Sequence, residues 1–241
     1  PYTTLFRSRH LENPQALHQQ SAHMDVGSFI FEADGVRWAI DMGGEDYDRL
    51  EKRGVDLWNG AQGSQRWEVF RYNNKAHNTL TFNDKPQSIK GKVQIKDWCD
   101  SARLRYVAMD LTPVYEGQVQ YAERAVAMVD DSYAVIEDRV EPGLYYTRMR
   151  WTLVTEATPR ILSDSVLLLE KEGKRCYVRI ASQMPVRWII RPAVSENTYD
   201  SPNPGVTIVA FDTDLTLRQA QRICVFLMPG EMKDTAYTSV L

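Results

Sequence analysis

The chain has 241 residues, of which 29 are basic and 32 acidic, so its formal net charge is −3. This near-neutral balance argues against a dedicated nucleic-acid-binding protein, which usually carries a strong basic excess. With 43% apolar and 25% charged residues the chain is unlike a wholly disordered protein, and three widely spaced cysteines exclude a disulfide framework, although they allow one bridge.

The first eight residues, PYTTLFRS, resemble the translation of a common sequencing adapter. We therefore interpret residues 1–8 as a scar, exclude them from fold reasoning and treat residues 9–241 as a single domain. No run approaches the ~18 apolar residues of a membrane helix, and none has the series of charged, apolar and small residues of a signal peptide. We expect no membrane partner. Because the true start is then lost, the missing signal says nothing about the compartment.

From Gly27 onward the chain consists of short β-type runs separated by turn residues. The pair Asp34-Gly35 between the first two runs predicts a two-residue hairpin. Alternation within the runs predicts half-buried antiparallel strands, with Cys176, Val178 and Ile180 on the core side of one of them. The pattern predicts an all-β fold, an antiparallel β-sandwich or super-sandwich of many short strands. The predicted strands are Ser28–Ala33, Val36–Ile40, Thr79–Phe82, Lys92–Trp98, Arg103–Met109, Gln118–Val129, Ser132–Val140, Thr147–Thr155, Ser165–Glu170, Arg175–Ser182, Val186–Arg191, Val206–Phe211 and Arg222–Met228.

One long polar stretch, from Gly43 to Asn74, interrupts this strand pattern. It contains the only predicted helical segment, Asp46–Lys52. A connector of this length is too long to be idle in a compact domain. We expect it to be either a functional, substrate-facing loop or a segment that packs partly on itself.

Two histidines and an aspartate are candidate metal ligands. His23 precedes the first predicted strand, Asp41 follows the second, and His77 lies at the start of the third. Two imidazoles, a carboxylate and a water would make a zinc site with an open position. The predicted hairpin register places Asp41 opposite Ser28, so His23 can reach Asp41 only if the chain bends back before Gly27, which permits such a bend. The alternative is a locally hydrogen-bonded His23 and an Asp41 that caps a turn.

Three short segments around these residues carry a family resemblance: His23–Phe29, Asp41–Gly43 and His77–Leu80. In this order they resemble the C-terminal sandwich of the heparinase II/III-like polysaccharide lyases. The resemblance implies that residues 9–241 are the C-terminal part of a larger lyase whose N-terminal α/α toroid is missing here. It also implies an acidic polysaccharide substrate, a periplasmic or secreted location, and one zinc or other divalent metal held by His23, Asp41 and His77.

The chemistry of that family is β-elimination. The uronate carboxylate is neutralised, a base removes the C5 proton, and an acid protonates the departing glycosidic oxygen. The resemblance implies that most of the proton-transfer groups belong to the toroid, so the catalytic residues stay unassigned in this chain. The family normally has a second histidine two positions before His23. This chain has Ser21 there, and we assign Ser21 no catalytic role.

Basic, aromatic and amide side chains precede His77, and we predict that Arg66, Tyr72 and Asn74 bind the acidic substrate. The alternative is that these side chains only pack. A second basic group has a similar pair of readings, as a polyanion contact or as charges that protect an edge strand from pairing. That group comprises Lys85, Lys90, Lys92 and Lys96.

Two other functions remain open at this point. The first is a non-catalytic carbohydrate-binding or interdomain β-sandwich in which His23, Asp41 and His77 do not converge. The second, less favoured, is a cupin-like metal enzyme, for which the sequence around His23 lacks the close second histidine and glutamate. Ligand atoms close enough to share a metal would favour the lyase domain, whereas ligand atoms more than ~6 Å apart would favour the binding module.

Overall fold

The computed structural model describes the backbone of residues 3–6 and all of residues 23–241. Within them, antiparallel strands form three sheets, in the orders β1-β2-β3, β10-β11-β12-β15-β8-β7-β6-β5 and β13-β14-β9-β4. The strands are β1 (Thr3–Phe6), β2 (Phe29–Ala33), β3 (Val36–Ala39), β4 (Leu80–Phe82), β5 (Gln94–Asp100), β6 (Leu104–Asp110), β7 (Tyr121–Val129), β8 (Tyr133–Glu141), β9 (Arg148–Thr155), β10 (Thr158–Ser163), β11 (Val166–Lys171), β12 (Lys174–Ser182), β13 (Arg187–Pro192), β14 (Thr207–Asp214) and β15 (Gln221–Pro229). The predicted all-β sandwich is confirmed.

Every strand predicted from the sequence is present, with ends that differ by three residues or fewer. The prediction missed β10, an edge strand whose side chains are mostly exposed and whose second residue is Pro159. It also set aside β1, whose backbone pairs antiparallel with β2 from Phe29 to Glu32. The origin of residues 1–8 stays a prediction, but the fold reasoning was wrong to leave out this strand.

The inner faces of the three sheets share one apolar core. Trp151 on β9 stacks on Phe211 of β14 with ring centroids 5.5 Å apart, and it is fully buried. Trp188 packs against the same core while its indole N–H donates to the Ser163 carbonyl. Along β12 the predicted alternation holds, because Cys176, Val178 and Ile180 are buried and their neighbours are less so. These are the contacts expected of a sandwich in which each strand buries one face.

The hairpin between β2 and β3 determines where Asp41 lies. Asp34 and Gly35 both have positive φ angles, as a two-residue type I′ turn requires. The pairing runs from Ala33 with Val36 to Phe31 with Ala39, with a bulge between Phe31 and Glu32 that shifts the register by one residue. That bulge was not predictable from the turn, and it moves the end of β3 relative to the position that the turn alone implies.

The polar stretch from Gly43 to Asn74 is partly self-packed, as one of the two expectations proposed. It contains α1 (Tyr47–Lys52), capped by the Asp46 carboxylate, which accepts a hydrogen bond from the Arg49 amide, and short 3₁₀ turns at Gln65–Glu68, Phe70–Tyr72 and Asn74–Ala76. A further 3₁₀ turn, Thr112–Tyr115, lies between β6 and β7. The stretch has its own small core, to which Met24 from outside the stretch also contributes; the residues of the stretch in this core are Leu50, Val55, Leu57, Trp67, Val69 and Tyr72. The possible single disulfide is absent, since Cys99, Cys176 and Cys224 are free.

Among the described helices, none is both long enough and apolar enough to cross a membrane.

Candidate metal centre

His23, Asp41 and His77 meet at one place, although they lie in separate segments of the chain. One potential ligand atom from each residue lies within 4.8 Å of the others. His23 and His77 are buried, and their ring centroids are 5.2 Å apart. We refer to these three residues as the His–Asp–His cluster. By composition and convergence it is a group that could hold a metal ion.

His23 reaches the cluster through a tight turn that precedes β2. The Ser28 amide donates to the Asp25 carbonyl over 3.0 Å, and Gly27 has a φ of +82°. Since L side chains rarely adopt that conformation, glycine is the residue suited to this position. A Cβ at Gly27 would lie only 3.0 Å from the Thr79 hydroxyl oxygen. The backward bend that the sequence reasoning required is therefore present.

Asp41 divides its two carboxylate oxygens between two tasks. Oδ1 accepts a hydrogen bond of 2.7 Å from the Gly43 amide, which is the turn-capping role considered as the alternative. Oδ2 lies 3.8 Å from His77 Nδ1. The turn-capping alternative therefore describes Oδ1, while Oδ2 faces His77 and its role as a metal ligand stays a prediction.

The hydrogen bond of His77 indicates which of its ring nitrogens can bind a metal. His77 Nε2 lies 2.8 Å from the Arg71 carbonyl oxygen. A carbonyl can only accept, so Nε2 carries the proton and the lone pair of the neutral ring is on Nδ1, the nitrogen that faces Asp41. Metal-binding histidines typically donate their second N–H to a carbonyl or carboxylate in this way.

His23 packs against an aromatic ring, and that ring in turn contacts a cation. The Tyr72 ring is fully buried and packs against His23 with centroids 4.9 Å apart. The Arg66 guanidinium lies 5.0 Å from the centroid of the Tyr72 ring, and its Nη1 donates to the Leu57 carbonyl. Burial raises the pKa of the Tyr72 hydroxyl above its usual value, so this phenol is neutral over the ordinary pH range.

The three residues predicted to bind substrate differ in how they relate to the cluster: Tyr72 packs against His23, Arg66 contacts the Tyr72 ring, and the Asn74 carbonyl accepts from the His77 amide. Asn74 is fully buried, donates to the Thr81 hydroxyl over 2.8 Å and accepts from the Gln87 amide. Arg66 and Tyr72 are also buried. The contacts described for these residues are structural, and their assignment to substrate binding stays a prediction. Ser21 lies outside the described residues.

One member of the second basic group lies where the edge-protecting alternative would place it, and both readings of the group stay predictions. Lys96 lies on the edge strand β5, where its ammonium donates to Glu123 and to the Tyr121 hydroxyl. These partners raise the pKa of Lys96. A charged residue on an exposed edge discourages pairing with another chain.

Sequence reasoning missed two buried residues that donate to backbone carbonyls around the cluster. Asn78 is fully buried, and its amide nitrogen donates to the carbonyls of Phe29 and Ile40. Arg124, on β7, donates to the carbonyls of Gly27 and Asn78. The available signal was the position of Asn78 directly after a candidate ligand. Nothing in the local sequence identified Arg124.

The sequence profile of a family described as heparinase II/III-like, C-terminal, matches residues 11–225. No curated protein sequence matches the chain. A similar fold occurs in a heparinase III with methylated lysines, with a TM-score of 0.63 and 17% identity over 86% of this chain and 30% of that one. Heparan sulfate lyase HepC from Pedobacter heparinus has a TM-score of 0.60 and 13% identity over 88% of this chain and 31% of its own. Another heparinase III has a TM-score of 0.63 and 14% identity over 87% of this chain and 30% of its own.

At these identities the structural likeness shows a shared fold. The chain spans about 30% of the length of the structures that it resembles. The profile match covers most of the chain and includes all three members of the His–Asp–His cluster. The chain therefore belongs to the heparinase II/III-like family and carries its C-terminal domain.

Proposed function

We propose that this chain is the metal-bearing C-terminal β-sandwich of a lyase that cleaves a uronic-acid-containing polysaccharide by β-elimination. The observation that carries the proposal is the convergence of two imidazoles and one carboxylate from three separate segments. Family membership supplies the reaction class. The alternative, a non-catalytic carbohydrate-binding or interdomain module, needs no such convergence, and its ligand atoms were expected more than ~6 Å apart.

The donor set suits zinc, with His23, Asp41 and His77 as ligands. Bonds of ~2.0–2.2 Å in a tetrahedron place neighbouring ligand atoms about 3.4 Å apart. The atoms here lie within 4.8 Å of one another, so metal binding requires the ligand atoms to move closer together. When bound, the ion would supply a dipositive charge and hold the three segments together. An open fourth position would be left for water.

In this proposal the residues of this chain hold the metal ion and contact the substrate, and they do not transfer the protons. The base that takes the C5 proton and the acid that protonates the leaving oxygen are proposed to come from the missing N-terminal region. Arg66, Tyr72 and Asn74 remain the proposed substrate-side residues. Arg66 places a positive charge 5.0 Å from the centroid of the Tyr72 ring, and a positive charge favours an anionic sugar nearby. Asn74 begins the 3₁₀ turn that leads to His77.

Metal analysis of the purified 241-residue chain tests the site. We expect one zinc per chain, lost in His77→Ala because Nδ1 is removed. Asp131→Ala is the control, because the Asp131 carboxylate is exposed in a turn and pairs with Arg105, outside the His–Asp–His cluster. Zinc content that is equal in His77→Ala and in the parent would contradict the assignment, and so would a parent that binds none.

An elimination assay tests the reaction. The unsaturated product of β-elimination absorbs in the ultraviolet through its 4,5-double bond. We expect negligible activity from this chain alone and activity from the protein that includes the upstream region. A longer protein that binds oligouronates without forming that product would favour the binding-module alternative. We also propose a periplasmic or secreted location, which cell fractionation of the longer protein would test.

A further inference from the structure

Two residues outside the His–Asp–His cluster link the backbone around Asp41 to the segment that carries His77. Both belong to the segment that carries His77, and each contacts the backbone on one side of Asp41. Asn78 contacts the residue before Asp41, and Arg71 contacts the segment after it. Neither supplies an atom to the cluster from its side chain.

The contact on the N-terminal side of Asp41 is completely buried. The Asn78 side-chain amide donates to the Ile40 carbonyl over 2.9 Å and to the Phe29 carbonyl over 2.6 Å. Its Oδ1 accepts from the Val154 amide over 2.6 Å, while the Ile40 amide donates to the Val154 carbonyl. The end of β3 is thus fixed both to β9 and to the residue directly after His77.

The contact on the C-terminal side of Asp41 is exposed, and the same guanidinium has a partly buried contact with Asn203. Arg71 Nη1 donates to the Gly44 carbonyl over 2.7 Å, and Nε and Nη2 donate to Asn203 Oδ1 over 3.0 and 2.8 Å. The backbone carbonyl of the same residue accepts from His77 Nε2. Arg71 therefore orients the His77 ring with its main chain and fixes the turn after Asp41 with its side chain.

We propose that Arg71 and Asn78 are positioning residues of the metal centre, which hold the Asp41 carboxylate close enough to His77 Nδ1 for both to bind the same ion. The proposal rests on the proposed function in that the centre binds zinc. A carboxylate on a free loop would lose more conformational entropy on binding the ion than one whose backbone is already fixed on both sides. Loss of partners beyond the ligands commonly lowers metal affinity by about 10–100-fold.

Arg71→Ala is the main test variant, because it removes the side-chain contacts with Gly44, Glu45 and Asn203 and leaves the backbone carbonyl that orients His77. Arg49→Ala is its matched control. Arg49 also joins the polar stretch to the segment around Asp200, but its guanidinium donates to Ser201 Oγ and the Asp200 carbonyl rather than to the turn after Asp41. Arg71→Lys retains a cationic donor and serves as the conservative variant.

Zinc competition against a chelator gives the affinity. We expect a Kd at least about tenfold higher in Arg71→Ala, partial recovery in Arg71→Lys and a change below twofold in Arg49→Ala. Substitution with cobalt(II) should give visible bands of altered shape only in Arg71→Ala, since these bands report ligand geometry. Asn78→Asp replaces the donor amide by a carboxylate oxygen that faces two carbonyl oxygens, so it should also weaken zinc binding. Circular dichroism checks that this variant folds.

Amide hydrogen exchange of the metal-free chain gives a second measurement that does not depend on zinc. The Gly43 amide donates to Asp41 Oδ1, so it reports the turn, and the Ile40 amide is the internal reference. We expect exchange at Gly43 to be about tenfold faster in Arg71→Ala and unchanged in Arg49→Ala. If the parent binds no zinc, the proposed function fails, and this comparison still decides the positioning role. Affinity and exchange in Arg71→Ala that match those of Arg49→Ala would overturn the proposal.

Discussion

Replacing Arg124 with methionine should cost the fold about 3–5 kcal/mol, the usual effect of breaking a buried ion pair by removing one partner. Arg124 and Asp138 have no exposed surface and form a two-fold hydrogen-bonded pair, with distances of 2.7 and 2.9 Å. The same guanidinium also donates to the Gly27 and Asn78 carbonyls. The substitution would therefore leave four buried acceptor oxygens without this donor.

The magnitude follows from what those oxygens lose. An unsatisfied buried acceptor costs about 1–3 kcal/mol, and a charged one costs more. Relaxation and water entry reduce the sum, which brings the expected loss to the range stated above. Typical domains are stable by only about 5–15 kcal/mol, so the variant should be close to its unfolding limit at room temperature.

Urea unfolding is the assay, with the double variant Arg124→Met/Asp138→Leu as the decisive comparison. Removing both charges should restore much of the lost stability, because no uncompensated carboxylate remains. Arg105→Met breaks an exposed pair with Asp131 and is the control. We expect no measurable change in its unfolding midpoint. An Arg124→Met variant as stable as the parent, or a double variant no better than the single one, would refute the reasoning.

The loss in Arg124→Met should also depend on pH. Burial raises the pKa of the Asp138 carboxyl, and Arg124 acts in the opposite direction. Removing Arg124 raises that pKa further, so the folded state binds the proton more tightly than the unfolded chain does. The stability of the variant should then fall as the pH rises through the folded pKa. The difference from the parent should shrink as the pH approaches the unfolded value of about 3.9.

The remaining predictions concern the turn, the C-terminal segment and the ion. Gly27→Ala should destabilise the chain by about 1–3 kcal/mol, because its methyl would meet the Thr79 hydroxyl at a positive φ; thermal unfolding checks this. Tyr237→Phe should cost about 1–2 kcal/mol by removing its 2.7 Å hydrogen bond to the buried Glu137, as urea unfolding would show. Zinc at a hundred times its Kd should stabilise the parent by about 2.7 kcal/mol and leave the melting temperature of His77→Ala unchanged.

The sandwich could be predicted because its strands record their burial in the sequence. Along β12 every second residue is apolar, and the two-residue turn at Asp34-Gly35 needs positive φ angles that these residues tolerate. β10 could not be recognised in this way, since it is an edge strand with almost no buried side chain. Local pattern identifies a strand only where one face meets the core.

Residue type made the three members of the cluster candidate ligands, but only the family resemblance indicated that they would meet. Asp41 lies 18 residues after His23, and His77 lies 36 residues after Asp41, spacings that carry no geometric information. Their convergence depends on the turn at Gly27, on the bulge in the hairpin and on contacts between distant strands. Those contacts involve backbone carbonyls, which every residue has, so the sequence around Asn78 does not reveal them.

X-ray absorption at the zinc edge tests the central claim most directly, because it reports the atoms bound to the ion. The zinc-loaded 241-residue chain should show nitrogen and oxygen neighbours at about 2.0–2.2 Å and the outer-shell scattering of two imidazoles, with one imidazole lost in His77→Ala. A spectrum of hydrated zinc, or one with the same imidazole count in both proteins, would contradict a metal centre built from His23, Asp41 and His77.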